Sequence, residues 1–126
     1  MGFEVVDVPG LPKPGQFSHV VKKANMVFIS GQTAPEEAMA GNLDPHDQAR
    51  RIYGYLKLAI EAAGGTMADI VKLNTYVTDG RHFDALRELR GEFFDQPFPA
   101  ATSMVVHSLA RRELVMEIEA IAILDD

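Results

Sequence analysis

The 126-residue chain contains no cysteine and no tryptophan. Without thiols, a disulfide framework, a cysteine nucleophile and a thiolate metal site are all excluded. Basic residues are scarce too: 12 Lys and Arg stand against 18 Asp and Glu, a formal charge of −6. That balance repels phosphate backbones and anionic bilayers, so neither nucleic acid nor a membrane is expected as a partner. "MGFEVVDVPGLPKPG" has no basic and apolar leader pattern and no later run approaches a membrane span, which makes a cytoplasmic location the default expectation. GxGxxG, GxxxxGK[ST] and GxSxG are missing, so a nucleotide cofactor and a nucleophile elbow have no support. The four histidines, His19, His46, His82 and His107, include no closely spaced metal pair. Neither a metal nor an organic cofactor is expected.

What is present suits one globular domain over residues 1–126. Hydrophobic residues make up 47% and charged residues 24%, enough for a single core. Pro- and Gly-rich residues 1–15 read as an extended arm. "SHVVKKANMVFISGQ" reads as a hairpin turning at Ala24 and Asn25 and broken at Gly31. Residues 33–44 read as a loop. Asp44 before Pro45, apolar residues at helical spacing and Gly64–Gly65 predict a helix over 45–63. "TMAD" fits a capping box ahead of the strand "VKLNTYVTD". A second helix is expected over 81–94, with Arg90 inside its apolar stripe and Arg87 at the edge. Strands over 101–107 and 114–123 complete a mixed α+β sheet of four to five strands with two helices on one face. The other face, carrying Met, Val and Ile, is then left for further copies of the chain, which predicts a homo-oligomer.

Three features could carry chemistry. Alternation in "ELVMEIEAIAIL" places Glu117 and Glu119 on one face among apolar neighbours. A solvated stretch or an interface ion pair would explain them, as would a partly desolvated carboxylate that moves a proton, Glu117 being nearer the loop. Arg90 either snorkels or pairs internally, or it faces a ligand. In "QPFPAATSMVVHS" small residues at the mouth of a buried strand leave room for a ligand, and His107 sits near its end.

"FSHVVKKANMVFISGQT", "EAAGGTMADIVKLNTYVTD", "FPAATSMVV" and "MEIEAIA" resemble, in order and spacing, the RidA (YjgF) family of enamine and imine deaminases, from about Gly15 to Ile123. The resemblance implies a chorismate-mutase-like fold and a homotrimer with clefts between subunits. It implies a cofactor-independent hydrolysis of a reactive enamine or imine, or of an aminomuconate-like relative. Glu117 matches the glutamate that positions water. Ser30 and Gly31 match the site-lining SG pair, and Phe17 stands where many members carry tyrosine. Arg87 matches a position often held by asparagine. Pro99, Ala100, Ala101 and Thr102 occupy the PAR[ST] pattern, so the arginine that forks onto the substrate carboxylate is Ala101 here, as in arginine-lacking branches. Arg87, Arg90 or an arginine of "ARRE" is left to supply the cation. A binding or sensing trimer without catalysis is the other reading.

Overall fold

Turn formers and alternating apolar residues lay down six strands in the computed structural model, which describes residues 2–125. They are β1 (Glu4–Val6), β2 (Val20–Lys23), β3 (Met26–Gln32), β4 (Ile70–Val77), β5 (Ala100–Val105) and β6 (Met116–Ile123). One sheet results, in the order β1-β2-β3-β6-β4-β5. Only β4 and β5 run parallel, and a parallel pair needs a crossover. That crossover contains α3 (Phe83–Phe93); α1 (Pro35–Met39) and α2 (Pro45–Ala62) lie between β3 and β4.

Helix α2 starts where the sequence says it should. The Asp44 carboxylate accepts from the amides of His46 and Asp47, and Pro45 fills the first turn, satisfying donors that would otherwise be free. Gly64 takes the left-handed conformation just past the end, with φ +95°. The buried stripe of α2, including Ile52, Leu56, Ala59 and Ile60, packs on Val27, Ile29, Leu73, Met116 and Ile118 of the sheet. Each large aliphatic side chain so buried contributes about 1.5–3 kcal/mol. Gln48 is fully buried and spends its amide on the backbone: Nε2 donates to the carbonyls of Asn42 and Glu113 at 2.9 Å each, and Oε1 accepts from Val115 N at 3.1 Å. It fixes the segment that leads into β6.

Several expectations change. The arm is not wholly irregular, because Glu4–Val6 adds an edge strand to β2. Residues 33–44 contain α1, started by Pro35. The sheet therefore has six strands rather than four or five, and three α-helices rather than two. Strand β5 is no buried strand: it is the outer edge beside β4, and all six residues are exposed. It ends at Val105, leaving His107 exposed in the bend beyond.

The face of the sheet away from α2 stays open. Met26, Phe28, Met104 and Ile123 are exposed on it: Met26 pairs with Ile123, Phe28 with Ile121, and Met104 lies beside Tyr76, which pairs with Glu117.

Candidate functional site

The middle of β3 departs from regular pairing. Ile29 pairs with Ala120 and Gln32 with Ile118, so Ser30 and Gly31 together stand against Glu119. This is a bulge, which re-aims side chains locally. The space it opens above Gly31 is filled by Glu117: a Cβ at residue 31 would lie 2.1 Å from Glu117 Oε2 and 2.8 Å from Cδ. Any side chain at residue 31 would require Glu117 to move. Glu117 is half-buried and makes no hydrogen bond among the described residues. Burial pushes its carboxyl above the ordinary carboxylate range, and the Glu119 charge on the same face adds to the rise.

Glu119, by contrast, is engaged. Tyr76 Oη donates to its Oε1 at 2.5 Å, and that bond foremost raises the Tyr76 hydroxyl pKa. Two carboxylates two residues apart thus differ in state: Glu119 is tied and Glu117 is free.

Ser30 Oγ donates to the Ser18 carbonyl at 2.6 Å, which fastens the segment ahead of β2 to the bulge. His19 extends the same clasp. A carbonyl only accepts, so its contact at 2.6 Å makes His19 Nε2 the donor to Pro12 O, and Nδ1 accepts from Gln32 Nε2 at 3.2 Å. Phe17, 54% exposed, stands edge-on to the His19 ring with centroids 5.3 Å apart. A concavity of about 550 Å³ opens beside Phe17, bordered by Phe28, Ser30, Asn74 and Glu119. A smaller one of about 150 Å³ is also bordered by Phe17, together with His19, Gly31 and Tyr55.

The remaining residues singled out in the sequence lie elsewhere. Thr102 pairs with Asn74 on the open face, where Lys72 Nζ donates to its Oγ1 at 3.0 Å. Ala101 pairs with Leu73 and shares the helix-side face. It is two strands from β6 and three residues from the Met104–Tyr76–Glu117 row, a separation of roughly 14 Å from strand spacing and rise. Arg87 is 72% exposed on α3 and paired with Asp84 at 2.5 Å. Arg90 is half-buried near the end of α3 with its Nε unpartnered. One chain therefore gathers Phe17, Ser30, Gly31 and Glu117, and holds Arg87, Arg90, Ala101 and His107 apart from them.

Sequence reasoning missed Tyr76, the His19–Gln32 clasp and Lys72. The alternation of Lys72, Asn74 and Tyr76 in "VKLNTYV" was the available signal for an outward polar row. A further groove of about 390 Å³ lies on the helical side between α1 and α2; its arginines are committed, Arg51 to Glu37 and Arg50 to Glu92.

Comparison with known proteins fits this arrangement. The family described as Endoribonuclease L-PSP matches residues 11–124. The chain belongs to the RidA family. Among RidA relatives, the 2-iminobutanoate/2-iminopropanoate deaminase of Dermatophagoides farinae is 32% identical, over 96% of each chain. The crystal structure of RidA from an Antarctic Psychrobacter superposes with a TM-score of 0.87 at 32% identity, covering 96% of this chain and 99% of that one. A Pseudomonas aeruginosa protein of unknown function superposes with a TM-score of 0.89 at 34% identity, covering 98% and 94%. The mixed six-stranded sheet with its helices is thus the RidA architecture. Among the described residues no helix is long and apolar enough to cross a membrane.

Proposed function

We propose that this protein is a cofactor-independent deaminase that hydrolyses a reactive imine or its enamine tautomer to a keto compound and ammonia. The observation that carries the reading is Glu117: a half-buried carboxylate, free of hydrogen bonds among the described residues and held above its ordinary pKa. A carboxylate poised nearer neutrality is suited to general base work. It takes a proton from water as the oxygen bonds to the imine carbon and the C=N electron pair moves to nitrogen. It then returns that proton to nitrogen, giving a carbinolamine, and relays the hydroxyl proton to the same nitrogen as the C–N bond breaks, so that ammonia leaves with the C–N electron pair and the oxygen becomes a carbonyl. The imine deaminase activity named for the mite relative supports the same reaction class.

The site is completed between copies. Glu117 and Ala101 lie on opposite faces and roughly 14 Å apart by sheet geometry, so one substrate meets both only if a second copy supplies one of them. The exposed Met26, Phe28, Met104 and Ile123 give such copies an apolar face to share. A homotrimer of RidA type satisfies both needs.

Ala101 in the arginine position and the missing hydroxyl at Phe17 favour one second reading, a trimer of an arginine-lacking branch that binds or senses a small molecule without converting it. Ammonia release from imines generated in situ separates the two. Turnover that Glu117→Gln abolishes and exposed Glu61→Gln leaves intact supports the deaminase. A ligand recovered unaltered, with no ammonia, supports the sensor.

A further inference from the structure

Tyr76 faces one glutamate and bonds the other. In the pairing of β4 with β6 it stands opposite Glu117, while Asn74 stands opposite Glu119. Directly opposed side chains on neighbouring strands start about 4.5–5.5 Å apart at Cβ, and only a long one reaches the diagonal neighbour. The Tyr76 side chain takes the diagonal: its Oη donates to Glu119 Oε1 at 2.5 Å. That bond foremost raises the Tyr76 pKa, with burial and the charges of Glu119 and Glu117 adding to it. The phenol therefore stays a donor throughout the range in which carboxyls titrate.

Glu117 and Glu119 lie on one face of β6, about 6–7 Å apart along the strand, within reach of two flexible carboxyls. Such a pair shares a proton unless one member has a donor of its own. The other ionisable groups around Glu117 are occupied elsewhere or face only its neighbour Gly31. On β4, Lys72 Nζ donates to Thr102 Oγ1 at 3.0 Å. From the segment ahead of β2, Lys13 and His19 border Gly31, and both His19 nitrogens are bonded, to the Pro12 carbonyl and the Gln32 amide. From α2, Tyr55 also borders Gly31 and gives its hydroxyl to Glu36. Strand β5 brings Thr102 and Met104 to this face, and the bulge of β3 brings Ser30 and Gly31. Glu119 is thus the carboxylate that bears on Glu117, and Tyr76 is what holds it.

We propose that Tyr76 is a positioning residue for the reaction: by bonding Glu119 across the diagonal it divides the two carboxyls, so that Glu117 alone exchanges a proton with water and substrate. The phenol touches neither reacting atom and acts through Glu119. Removing its hydroxyl frees Glu119 to turn toward Glu117 and share the proton that Glu117 handles. This rests on the deaminase reading for the reaction, but the division of the two carboxyls is measured without turnover.

The test is a pH titration of the full-length protein carrying glutamate labelled with carbon-13 at the carboxyl, the Glu117 signal being assigned by its loss in Glu117→Gln. In wild type that signal follows a single step. In Tyr76→Phe, which keeps the ring and whose fold is checked by circular dichroism, it spreads over two steps at least about one pH unit apart, as expected of carboxyls that share a proton. Adding Glu119→Gln to Tyr76→Phe returns it to one step, because the sharing partner is gone. The rising limb of kcat/KM follows the same order: one step, two steps, one step. A single unaltered step for Glu117 in folded Tyr76→Phe overturns the proposal, as does a second step that survives Glu119→Gln; a purely structural tie would lower stability and leave the Glu117 signal as it is. The two readings fail separately. Two-step titration in a protein that releases no ammonia removes the deaminase and leaves Tyr76 dividing the pair, whereas turnover with Glu117 unaltered in Tyr76→Phe removes the role of Tyr76 and leaves the deaminase.

Discussion

Glu117 lies across the backbone of Gly31 so closely that no side chain can be added at residue 31 without moving it. The bulge in β3, the missing Cβ and the free carboxylate form one arrangement, and each part predicts an outcome.

Gly31→Ala should displace the Glu117 side chain while leaving the fold in place, because the clashing atoms belong to a side chain that can rotate. A stability loss of about 1–2 kcal/mol is expected from overpacking, with a larger effect on turnover. Denaturant unfolding and ammonia release, measured on one preparation, check both.

The raised pKa of Glu117 has a consequence for stability. An acid whose folded pKa exceeds its unfolded value binds more protons folded than unfolded between the two, so its contribution to stability falls as pH rises through that window. Burial is the main cause and Glu119 the second. Glu117→Gln should therefore gain stability relative to wild type above the ordinary carboxylate range and lose that advantage below it. Thermal unfolding across pH 4–8 (about four units, spanning the carboxylate and neutral ranges) measures the difference.

Gln48→Ala should strip the partners from the Val115 amide and two carbonyls at once. A loss of about 2–4 kcal/mol is expected from the groups left unpaired, read as a lower denaturant midpoint at unchanged slope.

Ile123→Asp places a charge on the open sheet face without touching the core beneath the helices. Sedimentation should show trimers giving way to monomers, with circular dichroism unchanged. A trimer that persists would mean copies do not meet on this face.

Much of this was legible in sequence because the signals were local. Asp44, Pro45 and the Ile52–Leu56–Ala59–Ile60 spacing specify α2, Ala24 and Asn25 specify a tight turn, and alternation puts Glu117 outward. Strand β1 was hidden because three residues between Pro- and Gly-rich flanks pair only through the register of β2. Helix α1 is barely longer than one turn, too short for a period to show. The tie between Tyr76 and Glu119 depends on two strands meeting in register 43 residues apart, and nothing local encodes it. Arg90 was visible as a cation on an apolar stripe, yet only packing distinguishes it from Arg87, which turns out to be exposed and paired.

The pH dependence of kcat/KM for an imine generated in situ tests the role of Glu117 most directly. Wild type should show a rising limb with its midpoint above the ordinary carboxylate range. Glu119→Gln should move that midpoint down, since it removes a like charge. Glu117→Gln should lack the limb and lose about a hundredfold or more in rate, as expected for a removed general base. An unchanged rate and an unchanged profile in Glu117→Gln would contradict the account.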